Sequence, residues 1–150
     1  GDGSLQMNIQ ELATIKQNNL PIKLFIFNNN GYLLIRHTQK THMEGRFMGE
    51  SPETGLWLPD MLEIAKTYKI KGVRISSSRN LASKLKAVLD YDGPVICDVM
   101  TPLWQPIVPR ISSYKKPDGT MVSKTYEDMF PFLSRKELME NELGVPPKED

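Results

Sequence analysis

Two polar, glycine-bearing turns constrain this chain more than any other feature: Gly1-Asp2-Gly3-Ser4 and Asn28-Asn29-Asn30-Gly31, with 24 residues between Gly3 and Asn28. In that interval Leu5, Ile9, Leu12, Ala13 and Ile15 recur at three- and four-residue steps. This is the spacing of one helix face, and it predicts a helix over 5–18 with the Ser4 hydroxyl as N-cap. After Pro21, the apolar and partly β-branched run 22–27 predicts a buried strand. A helix of about 14 residues travels about 21 Å from the first turn, and a strand of about six residues returns about 20 Å. The turns are therefore expected to meet at the carboxyl edge of a sheet, where open α/β sheets bind ligands.

The rest of the chain continues the alternation. A helix is expected through Tyr32, Leu33, Ile35 and Arg36, then helices over 59–68 and 80–89 and strands over 72–75 and 94–99. This order predicts an α/β fold, a parallel sheet with helices on both faces, for a domain over 1–100. Residues 44–55, rich in Gly and Pro, read as an exposed and mobile loop. Residues 101–150 read as a proline-rich extension with a turn at 116–119 and a short helix near 134–143. Gly1, without a preceding Met, reads as the start of a fragment whose first strand or strands lie upstream.

Charge and composition narrow the function classes. With 19 Lys+Arg against 18 Asp+Glu the net charge is +1, too balanced for a nucleic-acid or anionic-membrane binder. The apolar run Leu24-Phe25-Ile26-Phe27 is far shorter than the roughly 20 residues of a membrane span. A single cysteine, Cys97, forms no internal disulfide, and no signal segment opens the chain, so a reducing cytoplasm is the expected setting.

At the predicted sheet edge, a helix N-terminus offers unpaired N–H groups and the positive end of its dipole to a phosphate, and glycines let it approach. Asp2 adds a carboxylate, Asn29 an amide oxygen and the turn at Gly31 a backbone carbonyl. These are hard oxygen ligands of the kind Mg²⁺ takes while bridging phosphates. The bland alternative is that Asp2 caps a helix and the asparagines form a turn.

The pair of turns resembles the GDG…NN signature of thiamine diphosphate enzymes. The run Gly1-Asp2-Gly3-Ser4-Leu5-Gln6-Met7-Asn8-Ile9-Gln10-Glu11-Leu12-Ala13-Thr14 is similar to acetolactate synthase large subunits, as are Leu20-Pro21-Ile22-Lys23 and, more loosely, Asp98-Val99. The resemblance covers roughly the first 100 residues. It implies Asp2, Asn29 and the Gly31 carbonyl as Mg²⁺ ligands, and Gly3 and Ser4 as contacts of the diphosphate. It also implies decarboxylation of a 2-keto acid, with ligation of the carbanion to a second carbonyl. The family's catalytic glutamate lies in a pyrimidine-binding domain of the same or a neighbouring subunit, in a homodimer or homotetramer, so no catalytic residue is assigned within this chain. The alternatives are another decarboxylase or oxidase of the superfamily, or a non-catalytic cofactor-binding assembly module.

One departure concerns the substrate pocket. Many acetolactate synthases carry a tryptophan before a glutamine after the asparagines, where this chain has Thr38-Gln39 and, one turn earlier, Leu34. Leu34 and Thr38 are thus candidate pocket residues, and a small hydroxylated side chain implies a roomier, wetter site. The run 31–39 and the stretch 117–124 look more like an acetolactate-synthase-like subgroup. His37 and His42 are candidate proton carriers or ordinary surface groups. Cys97 reads as a small buried hydrophobe, Trp57 and Trp104 as loop anchors, and Lys115-Lys116 as a solvated turn.

Overall fold

The computed structural model describes residues 1–141. The chain divides into two compact units, Gly1–Gln105 and a second from Pro106 onward. In the first unit α1 (Asp2–Leu5) leads through a 3₁₀ turn, Gln6–Asn8, into α2 (Glu11–Gln17). Then come β1 (Lys23–Asn28), α3 (Leu33–His42), α4 (Met61–Thr67), β2 (Lys71–Ile75), α5 (Leu81–Leu89) and β3 (Val95–Met100). The three strands are parallel, in the order β1-β3-β2.

Side-chain alternation along the strands sorts the core onto two faces. Ile26 and Ile96 lie in one cluster with Leu12 of α2 and Met61, Ile64 and Ala65 of α4. Val95 and Cys97 lie in the other with Ile75 and with Val88 of α5. Helices therefore cover both faces of a parallel sheet, as the alternating pattern predicts.

The first predicted helix differs in detail. Its start lies three residues earlier, at Asp2, because the Gly1 carbonyl already accepts the Leu5 N–H at 3.1 Å. Ser4 is consequently inside the first turn and exposed, not an N-cap. Gln6, Ile9 and Gln10 keep right-handed helical dihedrals, so the segment tightens into 3₁₀ geometry without breaking.

The loop 44–55 is also not exposed throughout. Gln39 grips Met48 from both sides, donating Nε2 to its carbonyl at 3.0 Å and accepting its N–H on Oε1 at 3.1 Å. Beyond it Glu50 and Ser51 are buried.

The second unit contains an antiparallel hairpin, β4 (Ser113–Lys115) with β5 (Met121–Ser123), and α6 (Arg135–Asn141). The turn between the strands is the one expected at 116–119, closed by the Gly119 N–H to the Lys116 carbonyl at 2.9 Å. The last two residues of the helix expected near 134–143 lie outside the described residues. Among the described residues no helix is long and apolar enough to cross a membrane.

Candidate functional site

β1 ends at Asn28, and the chain reverses through residues 29–31. Asn30 takes a left-handed conformation, φ +58°, which asparagine tolerates better than most residues. Its N–H donates to Asn28 Oδ1 at 3.1 Å. Gly31, at φ +152°, has no substitute, because a Cβ there would collide with the Glu50 carbonyl.

The Gly31 N–H donates to Asp2 Oδ2 at 2.9 Å, so the two polar turns are in direct contact at the carboxyl edge of the sheet. Asp2 is 1% exposed and Asn29 9%. Asp2 Oδ1 and Asn29 Oδ1 are both buried without a hydrogen-bond partner, as is Gln6 Nε2 one turn after Asp2. Buried oxygens left unpaired are costly, and donors of this type suit a hard cation. Asp2 lies inside α1, whose N-cap is Gly1, and its Oδ2 accepts the Gly31 N–H, so it does not cap that helix, while the asparagines do form the turn. The space beside Gly3 is filled by the Tyr32 ring, 2.6 Å from where a Cβ would stand, and the Tyr32 hydroxyl donates to the Gly3 carbonyl at 3.3 Å. That side of Gly3 is therefore closed to a ligand.

A polar network behind the turn escapes the sequence pattern. Asp98, fully buried in β3, accepts Asn28 Nδ2 at 3.0 Å and Arg74 Nε at 2.8 Å. Arg74 Nη2 reaches Asp60 Oδ2 at 2.6 Å, while Asp60 Oδ1 caps α4 through the Leu62 N–H at 2.8 Å. The Arg74 guanidinium holds the Asp60 carboxyl below its ordinary range, and Asp60 and Asp98 raise Arg74 in turn. The signal available in the sequence was a charged residue inside each of two short strands.

α3 carries the predicted pocket residues. Leu34, 70% exposed, and Thr38 stand one turn apart on its exposed face. Arg36 is buried on another face and pairs with Glu50. His37 meets Trp104 edge-on at 5.8 Å, Phe47 meets the same ring at 5.7 Å, and Lys40 lies 4.9 Å over it. Trp104 thus gathers its surroundings, as expected of an anchor. Trp57 does not: it stands 80% exposed to solvent. His42 and Lys115-Lys116 are exposed. Cys97 is fully buried, and burial first, then Asp98, pushes its thiol upward. Among the described residues no three His, Cys, Asp or Glu side chains gather to hold a metal, so any ion at this edge relies on amide and carbonyl oxygens beside Asp2.

A family model described as thiamine pyrophosphate enzyme, C-terminal TPP binding domain, matches residues 1–99. The acetolactate synthase large subunit of Cyanidium caldarium is 35% identical over 115 residues, covering 77% of this chain and 19% of that protein. Acetolactate synthase 2, chloroplastic, of Zea mays is 33% identical over 117 residues, covering 75% of this chain and 18% of that protein. The chain thus spans about a fifth of the length of these curated relatives. Among solved structures, the Rhodococcus jostii RHA1 thiamine diphosphate-dependent 4-hydroxybenzoylformate decarboxylase matches with a TM-score of 0.59 and 26% identity, over 68% of this chain and 19% of that one.

Proposed function

This chain belongs to the thiamine pyrophosphate enzyme family through its C-terminal TPP binding domain, and from that premise we propose that it holds the cofactor's diphosphate through Mg²⁺ in an acetolactate synthase-like enzyme. The observation that carries this reading is the pair of buried, unpartnered oxygens, Asp2 Oδ1 and Asn29 Oδ1, beside Gly31. With the Gly31 carbonyl they make an all-oxygen set suited to a hard cation that shares its shell with phosphate. Bound thiamine diphosphate supplies the nucleophilic carbon and electron sink for a 2-keto acid. Asp2, Asn29 and Gly31 hold the ion. The backbone of Gly3 and Ser4, at the free end of α1, and the Ser4 hydroxyl hold the diphosphate. Leu34 and Thr38 border the substrate. The acid–base glutamate comes from a pyrimidine-binding domain of the same or a neighbouring subunit, in a homodimer or homotetramer.

Decarboxylation without ligation is the second reading, favoured by the structural likeness to a decarboxylase. Product analysis with pyruvate separates the two, since only ligation yields a 2-hydroxy-2-methyl-3-keto acid.

The cofactor reading is tested by calorimetric titration of the intact protein with thiamine diphosphate and Mg²⁺. Asp2→Asn keeps an acceptor for the Gly31 N–H but removes the charge. It should weaken binding by more than about 100-fold, beyond the usual effect of losing a group that only supports a ligand. Unchanged affinity refutes the site.

A further inference from the structure

Arg36 and Glu50, only 1% and 3% exposed, form a buried ion pair between α3 and the loop that follows it. Arg36 uses every arm of its guanidinium: Nε donates to Glu50 Oε2, Nη1 to the Leu103 carbonyl, and Nη2 to the Glu50 carbonyl at 3.1 Å. That same carbonyl accepts the Tyr32 N–H at 2.9 Å and occupies the space a Cβ on Gly31 would take. Glu50 is held in turn by Thr54, whose Oγ1 accepts the Glu50 N–H at 3.1 Å and donates to Glu50 Oε1 at 3.3 Å.

A buried ion pair contributes little to stability compared with a well-packed apolar pair, so fold stability alone does not account for it. One arm of it, Arg36 Nη2, lands on the Glu50 carbonyl, which is pressed against the turn of residues 29–31. We propose that Arg36 and Glu50 are positioning residues for that turn: through the Glu50 carbonyl they fix Tyr32 and Gly31, and through the Gly31 N–H they fix Asp2. They thereby set cation affinity without touching the cation. This rests on the Mg²⁺-diphosphate reading above. Lysine cannot replace Arg36, because a single ammonium does not reproduce a planar fork with three divergent bonds.

The test is a Mn²⁺ titration of the intact protein at saturating thiamine diphosphate, read by electron paramagnetic resonance, beside thermal melts of the cofactor-free protein. Arg36→Lys keeps the charge, and the double variant Arg36→Met with Glu50→Leu leaves no buried charge unpaired. Both should melt cooperatively and raise the Mn²⁺ half-saturation by roughly tenfold or more, the range for losing a group that supports a ligand. Arg46→Ala breaks the exposed Arg46–Glu44 pair on the same loop and should leave the half-saturation unchanged. Asp2→Asn serves as the reference. If it too binds Mn²⁺ like wild type, the cation site itself is wrong. If Asp2→Asn loses Mn²⁺ while a folded Arg36 variant keeps wild-type half-saturation, the positioning role is overturned. Loss of the native melt in both Arg36 variants overturns it equally, by making the pair a requirement of the fold.

Discussion

Among the described glycines the tightest constraint falls on Gly31, where a left-handed region of φ, a hydrogen bond to Asp2 and the Glu50 carbonyl meet at one α-carbon. Gly31→Ala combines backbone strain with a collision against main-chain atoms, which cannot rotate away. It should destabilise the protein by about 2–4 kcal/mol and weaken cation binding in the same variant; urea unfolding and Mn²⁺ titration check both. The need for glycine was legible, since a run of three asparagines and a glycine marks a turn with positive φ. The role of Asn28 was not. Its amide bridges Asp98 and the Asn30 N–H, and only one of those partners is a neighbour in sequence.

Among the elements, β1, β2, β3, α4 and α5 were read to within two residues, because apolar spacing directly encodes which face is buried, whereas the first helix starts three residues before its expected bound. The hairpin β4–β5 was seen only as its turn. Its three-residue strands carry too little alternation to register, and they precede a charge cluster built from residues scattered over one short stretch. There Asp128, buried, receives Arg135 at 2.6 and 2.8 Å and Lys124 at 2.7 Å. Arg135 foremost, with Lys124, outweighs burial and holds the Asp128 carboxyl down to about 2 from the ordinary 3.8. A carboxyl depressed in the folded state stabilises the fold above its unfolded pKa, and that contribution fades as pH falls from about 4 through about 2. Because Arg135 is half exposed, solvent screening limits the contribution to the order of 1–2 kcal/mol. Asp128→Asn should therefore lower stability at pH 7 by that amount and narrow the loss between pH 5 and 2, as followed by urea melts across that range.

At the scale of the whole molecule, the α3 face bearing Leu34 and Thr38 is exposed, and the resemblance to acetolactate synthases implies that Thr38 stands where many of them carry an indole. An indole at this place would fill 150–250 Å² of contact surface. If the intact protein is the carboligase proposed above, Thr38→Trp should shift acceptor preference toward pyruvate and 2-ketobutyrate and away from larger hydroxylated carbonyls, by roughly tenfold in relative kcat/KM for one lost or gained pocket contact. A competition assay with pyruvate as donor decides it, and an unmoved preference removes position 38 from the acceptor site. The periodicities in the sequence by themselves determined the α/β order, the parallel sheet and the meeting of two turns at its carboxyl edge, because helix rise, strand rise and turn chemistry are local rules. Only the tertiary structure decided which oxygens of that edge are left unpaired, that Arg36 closes on Glu50, and that Asp98 ties Asn28 to Arg74. Such pairs join polar groups from separate elements, and one chain's hydrophobic pattern records which positions are buried but not which polar partner waits across the gap.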